Sequence, residues 1–233
     1  MDSVDSLQVS EINSSIPKIA TRALGIFAKQ PLPGRVKTRL CPPLSGEQAA
    51  ELYRVSLIET VESLAGRDFD LVLFYAGEEA FFQSAFPALP RIAQAQGGLG
   101  ERLERAFEAL FARGCRRAAM IGSDSPDLPA HLVEEAFAAL ERASFVTAPA
   151  ADGGYVLVGQ DAVHPELFRD IPWSTPGVLA ATRERARALG IGYREVAGWE
   201  DVDDLPSLRR LVERSPASAT ARFGRRLLAR HGW

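Results

Sequence analysis

The sequence predicts an α/β domain, a three-layer α/β/α sandwich with a mostly parallel sheet, and three observations carry that expectation. Short apolar runs recur along the chain, stretches with helical apolar spacing follow them, and polar turns rich in Gly and Pro stand between. Strands that alternate with helices favour a parallel sheet covered on both faces. A chain of 233 residues with 46% apolar side chains can bury one substantial core, whereas two domains of this total length would each be thin.

The elements are read in order. Residues 23–28 form a buried strand that runs into a long Pro- and Gly-rich loop over residues 29–46, and a helix follows over residues 47–64 with Ser45 as its N-cap. A second buried strand covers residues 70–75, then a short helix near 78–84 and a strand near 91–95. Leu103, Ala106, Phe107 and Leu110 give residues 99–113 a helical stripe, which Gly114 ends. A strand at 117–121 leads through a turn with two prolines to a helix over 130–142. Strands at 145–148 and 155–158, a helix at 176–189, a strand near 193–196 and a helix at 205–214 complete the core. Residues 216–233 read as a terminal helix with a basic face.

The bulk composition excludes several classes. A formal charge of -3 leaves no basic excess for general nucleic-acid binding. Cys41 and Cys115 lack the spacing of a zinc site or a disulfide framework, which suits a reducing cytoplasm. The first 18 residues lack a signal-peptide pattern and read as a mobile tail, and no apolar run approaches the ~20 residues needed to span a bilayer. The expectation is a soluble, cytoplasmic protein with no transmembrane segment. His131, His164 and His231 are scattered and receive no role.

Six segments could carry chemistry. Directly after the first strand, Lys29, Arg35, Lys37 and Arg39 surround Gly34, offering cations to a diphosphate and a backbone free to approach it. The loop is not a Walker motif, and a solvated basic loop is the competing reading. Asp124, in Gly122-Ser-Asp-Ser-Pro-Asp-Leu-Pro129, ends a strand expected at the sheet's centre, where a carboxylate can coordinate a hard cation. A turn or capping role competes for Asp124, and Asp127 is expected to serve local structure. In Asp201-Val-Asp-Asp204, Asp203 could meet Asp124 across the site, while Asp204 is the better N-cap; an acidic helix start is the alternative for the whole segment.

Asp152, Gly153, Gly154 and Tyr155 form the fourth segment, in which Asp152 could bind a sugar hydroxyl or deprotonate an acceptor, and a plain hairpin turn is the alternative. Gln96 could read a base edge, with Gly97, Gly98 and Gly100 letting a base or ribose lie on backbone; a glycine-rich lead into a helix explains the same residues. Trp173 could stack on a sugar or acceptor, or belong to the core.

The order of these motifs is more specific than any one of them. The series Phe-Ala-Lys-x-Pro-x-Pro-Gly-x-Val-Lys-Thr-Arg-Leu, Gln-Gly-x-Leu-Gly-Glu-Arg, Gly-Ser-Asp-Ser-Pro-Asp-Leu, Asp-Gly-Gly-Tyr, Trp-Ser-Thr and Asp-Val-Asp resembles a bacterial and archaeal glycosyltransferase-A-like family. That family is sometimes described as an arsenosugar-biosynthesis glycosyltransferase and is similar to molybdenum-cofactor and phospholactate guanylyltransferases. The resemblance spans residues 23–211 and implies the nucleotide-diphospho-sugar transferase fold. It implies Asp124 and Asp203 as ligands of Mg2+ or Mn2+, with Gln96 and Gly100 where relatives hold the base; the residues themselves suggest that the first loop grips the diphosphate and that an acceptor sits near Gly153, Gly154, Tyr155 and Trp173. The sequence pattern divides the chain into a catalytic domain over residues 21–214, a tail at 1–20 and a C-terminal helix at 215–233 that packs on the domain or at an oligomer contact. One departure matters: the Asp-x-Asp pair of many metal-dependent glycosyltransferases is missing, because Gly122 and Pro126 flank Asp124 at the required spacing.

The leading expectation is transfer of a sugar from a nucleotide-diphosphate sugar to a small-molecule or lipid-like acceptor, with Asp124 and Asp152 as catalytic residues. Nucleotidyl transfer from an NTP to a phosphorylated acceptor is the alternative, and a non-catalytic nucleotide-binding protein is the third.

Overall fold

The computed structural model describes residues 21–232, so the tail expected over residues 1–20 lies outside the described residues. Among the described residues there are seven strands: β1 (Arg22–Lys29), β2 (Asp70–Ala76), β3 (Arg91–Ala93), β4 (Arg117–Gly122), β5 (Phe145–Pro149), β6 (Tyr155–Gln160) and β7 (Tyr193–Glu195). They form one sheet in the order β3-β2-β1-β4-β6-β5-β7. Every pairing is parallel except those of β6, which runs against both β4 and β5.

The helices are α1 (Gly46–Leu64), α2 (Glu79–Ala85), α3 (Leu99–Ala112), α4 (Ala130–Ala139), α5 (Val178–Ala188), α6 (Leu205–Arg214) and α7 (Ala219–Arg230), with short 3-10 turns at Thr38–Leu40 and Pro165–Phe168. The periodicity predicted each strand and helix within a few residues. The two 3-10 turns have no counterpart in that reading, because three or four residues are too short to show a period.

The strand period of two divides the core. On β1, Leu24, Ile26 and Ala28 face one side with Leu73 and Ile121, where α1 and α4 cover them with Leu57, Val61, Leu132 and Phe137. Ala23 faces the other side with Val72, Phe74 and Met120, under Leu103 and Phe107 of α3. Full burial of a side chain such as Phe107 contributes about 2–3 kcal/mol. A third cluster joins Leu40, Leu44 and Leu52 to Leu208 and Leu211 of α6 and Leu227 and Leu228 of α7. The long loop after β1 is therefore anchored from below by the last two helices.

Capping sets two helix starts that matter for the site. Ser45 Oγ accepts from Gln48 N at 3.2 Å and Gln48 Oε1 accepts from Ser45 N at 2.8 Å, a reciprocal pair that opens α1 where the loop ends. Asp204 Oδ1 accepts from Ser207 N at 2.8 Å and opens α6. Its neighbour Asp203 is thereby left free of capping duty.

Candidate active site

The carboxyl ends of the parallel strands share one edge of the sheet, and the loops leaving them converge there, as open α/β sheets require. A buried hydroxyl network fixes the ends of β1 and β4 to each other. Lys29 N donates to the Tyr53 hydroxyl at 2.8 Å, that hydroxyl lies 2.7 Å from Ser123 Oγ, and Ser123 Oγ donates to Phe27 O at 3.1 Å. Ser56 Oγ donates to Ser123 O at 2.9 Å. Burial, with the nearby Asp124 carboxylate, pushes the Tyr53 hydroxyl up to about 12, so it stays protonated. The residue after Ser123 is Asp124, whose carbonyl accepts from Val202 N at 2.8 Å. That backbone bond joins the loop after β4 to the segment holding Asp201 and Asp203.

The carboxylates of Asp124 and Asp203 meet at Lys37. Lys37 Nζ pairs with Asp124 Oδ1 and lies 3.0 Å from Asp203 Oδ1, while Arg39 reaches Asp203 Oδ2 at 3.9 Å. The Lys37 side chain is 5% exposed, whereas those of Asp124 and Asp203 are 44% and 41% exposed. Burial opposes the charge on Lys37, but the two carboxylates outweigh it and hold its pKa above the ordinary value. Asp201 stands in the same acidic field, with no such cation among the described residues. Burial first, then Asp203, Asp152 and Asp124, push its carboxyl up to about 6.

Four adjoining cavities surround these residues. One of about 290 Å³ is walled by Lys29, Arg35, Lys37, Arg39, Asp124 and Asp203. Lys29 and Asp124 also wall a second, of about 390 Å³, whose floor is apolar with Phe27, Leu103, Met120 and Val158. Leu99, Tyr155 and Asp201 pass from the second into a third, of about 380 Å³, which adds Asp152, Gly154 and Trp173. Gln94 and Arg102 connect the second to a fourth, of about 280 Å³, that holds Gln96 and Gly97. The result is one cleft with a cationic end and an apolar middle.

Most of the residues singled out in the sequence line this cleft, but Gly34, Gly100 and Gly153 do not. Gly34 has φ +71, is exposed and stands outside the cavity wall, so it shapes the turn and does not line the cleft. Gly100 is buried in the first turn of α3: a Cβ there would lie 2.7 Å from both Phe168 O and Trp173 Nε1. Close packing accounts for that glycine, and it lines none of the four cavities. The hairpin reading of Asp152-Gly-Gly154 is what the antiparallel β5 and β6 adopt, with Asp152 Oδ1 accepting from Gly154 N at 2.9 Å. Gly153 has φ +91 and lies against Pro176, and its carbonyl accepts from Leu179 N at 2.8 Å, docking the hairpin on α5. Asp152 still lines the cleft from that turn. Trp173 packs on the core and lines the cleft at once, edge-on to Tyr155 with ring centroids 6.2 Å apart.

Asp127 is structural, as expected, but its partners are distant in sequence. It accepts from Trp199, Arg214 and Ser215. Sequence reasoning missed Tyr53, Ser56, Ser123 and the environment of Asp201. The hydroxyls at Tyr53 and Ser56 do carry a signal: both fall on the buried stripe of a helix, where a polar group needs a partner.

Among the described residues, no group of three or more His, Cys, Asp or Glu side chains is disposed to hold a metal ion. Two carboxylates suffice for a cation of the magnesium type, which keeps several waters and takes further oxygens from phosphates. Asp124 and Asp203 fit that description, since they are hard oxygen donors, nearly half exposed, and already converge on a single positive charge.

A family model described as an uncharacterized protein conserved in bacteria (DUF2064) matches residues 60–175. No curated protein matches the chain. A solved structure from Desulfovibrio desulfuricans G20, provisionally named a nucleotide-diphospho-sugar transferase, is 32% identical with a TM-score of 0.84, over 91% of this chain and 96% of that one. A cytidylyltransferase from Leptospira borgpetersenii is 10% identical with a TM-score of 0.54, over 91% of this chain and 95% of that one. A CMP:2-keto-3-deoxy-manno-octonic acid synthetase complexed with CTP is 11% identical with a TM-score of 0.52, over 85% of this chain and 99% of that one. The last two share the fold alone. No helix among the described residues is long and apolar enough to cross a membrane. Identity and coverage with the Desulfovibrio protein extend over nearly the whole described chain, and the protein therefore belongs to the nucleotide-diphospho-sugar transferase family of bacterial transferases.

Proposed function

We propose that this transferase moves a sugar from a nucleotide-diphosphate sugar to a small-molecule or lipid-like acceptor. The observation that carries the reading is the convergence of Lys37, Arg39, Asp124 and Asp203 at the carboxyl ends of β1 and β4. Lys29, Arg35, Lys37 and Arg39 bind the diphosphate and stabilise the charge it gains as it leaves. When bound, Mg2+ or Mn2+ would be held by Asp124 and Asp203 and would neutralise charge on the leaving group.

The transferred sugar occupies the apolar-floored middle cavity, and the acceptor enters past Gly154, Tyr155 and Trp173. Asp152, oriented by Gly154 N, accepts the acceptor's hydroxyl proton. Gln96 and Gly97 stand at the far cavity, where a base would sit. Incubation with a panel of nucleotide sugars and manganese tests the reading: donor hydrolysis or transfer is expected, and Asp124→Ala should abolish it.

A second reading is nucleotidyl transfer, favoured by the four basic side chains around the first cavity, which suit a triphosphate as well as a diphosphate. Pyrophosphate release from GTP or CTP would identify it, and nucleoside diphosphate release from a nucleotide sugar would identify the first. Tight nucleotide binding that survives Asp124→Ala, with no turnover, would point to a binding protein instead.

A further inference from the structure

We infer that Lys37 is a resident counter-ion for the Asp124 and Asp203 pair, one that keeps divalent-cation affinity low until a nucleotide's phosphates arrive, so that metal and nucleotide load together. The inference rests on the phosphate- and cation-binding reading above and adds an order to it.

Charge and geometry carry it. Lys37 Nζ contacts one oxygen of each carboxylate, and Arg39 lies 3.9 Å from Asp203 Oδ2, so the two negative charges already face two positive ones. A dication approaching the Asp124 and Asp203 oxygens meets the Lys37 ammonium within the same few ångströms, and like charges at such range repel. Adding a diphosphate reverses the balance: its oxygens supply the negative charge the pair lacks, and they give Lys37 a new partner.

Lys37 is also built into its place. Its side chain is almost fully buried, beside the buried Val36 and Tyr53 that wall the same cavity. Its backbone is left-handed, with φ 48 and ψ 37, at the head of the Thr38–Leu40 turn, and its carbonyl accepts from Leu40 N at 3.0 Å. A residue with a Cβ holds that conformation at a cost of about 1 kcal/mol, and such costs persist where a site needs the side chain aimed. A freely moving surface lysine would need none of this.

If Lys37 opposes the metal and the nucleotide relieves that opposition, the two bindings are positively linked, and linkage is reciprocal. The test measures Mn2+ affinity by the electron paramagnetic resonance of free Mn2+, in the full chain, with and without UDP, GDP or CDP as the probe. Lys37→Met should bind Mn2+ at least about tenfold more tightly than the wild type in the absence of nucleotide. The tightening of Mn2+ by the diphosphate, present in the wild type, should shrink in that variant. Lys37→Arg keeps the charge and should leave the nucleotide-free Mn2+ affinity near the wild-type value.

Equal or weaker Mn2+ binding by folded Lys37→Met would overturn the inference, as would equal tightening in Lys37→Arg. The wild type alone supplies a check that survives poor folding of the variants: saturating Mn2+ should tighten the effective diphosphate by the same factor that the diphosphate tightens Mn2+, and an absence of linkage overturns the inference. Linkage found without transfer from any donor would sink the proposed reaction and keep this inference. No Mn2+ binding in any form would sink both.

Discussion

Two acidic clusters lie three residues apart in the loop after β4, and they differ in how their oxygens are used. Around Asp127 every carboxylate oxygen is taken: Oδ1 accepts from Trp199 Nε1 at 3.2 Å and Arg214 at 3.0 Å, and Oδ2 accepts from Arg214 Nε at 2.7 Å and Ser215 Oγ at 2.6 Å. Its side chain is 6% exposed, and Glu200 completes the cluster by pairing with Arg210 and Arg214. Around Asp124, Asp201 and Asp203 the carboxylates outnumber their cations and face the cleft. The comparison teaches that a carboxylate's task can be read from its unfilled acceptor sites: the first cluster is complete without a ligand and the second is not.

The largest expected effect separates the two by function. Asp124→Ala should reduce transfer by about 10³-fold or more, as loss of a group that stabilises transition-state charge does, with a change in stability of only about 1 kcal/mol. Steady-state kinetics with the accepted donor, beside a urea titration, would check both halves. A large loss of stability with activity intact would erase the distinction drawn between the clusters.

Asp127→Ala should do the reverse. Removing it leaves Arg214 with Glu200 alone, takes the acceptor from Trp199 Nε1 and Ser215 Oγ, and costs about 2–4 kcal/mol of stability, while the variant that remains folded at low temperature keeps its turnover. Burial opposes the charge on Asp127, but the hydrogen bonds from Arg214, Ser215 and Trp199 hold its carboxyl below the ordinary value. Its contribution is therefore present above the unfolded pKa and lost as pH falls through the depressed native one. The acid limb of a stability profile should be shallower in Asp127→Asn.

Gly100→Ala probes the wall between the site and its support. The added methyl meets Phe168 O and Trp173 Nε1, and overpacking of that kind costs about 1–3 kcal/mol by thermal unfolding. If instead it cost nothing in stability and weakened nucleotide binding, Gly100 would return to the ligand side of the ledger.

The smallest effect is a pH window. Asp201 has a carboxyl raised from 3.8 to about 6, so the stability it contributes is complete below the lower value and lost as pH rises through the upper one. With a chelator present, Asp201→Asn should flatten the decline of melting temperature across that interval. An unchanged profile would mean that Asp201 is as well compensated as Asp127.

The sequence disclosed most of the fold because its signals were local. Apolar period gave α6 at its observed ends, and the Ser45 and Asp204 caps each needed only a partner three residues on. The convergence of Asp124 and Asp203 was expected from the strand-end rule, but the side chain between them was not: Lys37 was read as a phosphate ligand, since nothing at position 37 reveals the charge that folding sets beside it. The structural role of Asp127 was expected, but its partners, 72 to 88 residues away, were not, for the same reason. Gly100 was ambiguous because a glycine in the first turn of a helix looks alike whether a nucleotide or Trp173 lies against it. The reversed direction of β6 followed from the Asp-Gly-Gly hairpin, which the residues allowed and did not require.

Glu59 on α1 has a role that reaches beyond the fold's static description. Its carboxylate accepts from Ser218 Oγ, Ala219 N, Thr220 N and Thr220 Oγ1 at 2.6 to 2.8 Å, so α7, which has no acidic residue in its own first turn, borrows one from about 160 positions earlier. Such a distant contact forms only after the intervening chain has been ordered, which makes the docking of α7 a late step in folding. Stopped-flow traces of Glu59→Gln should then show faster unfolding with refolding nearly untouched.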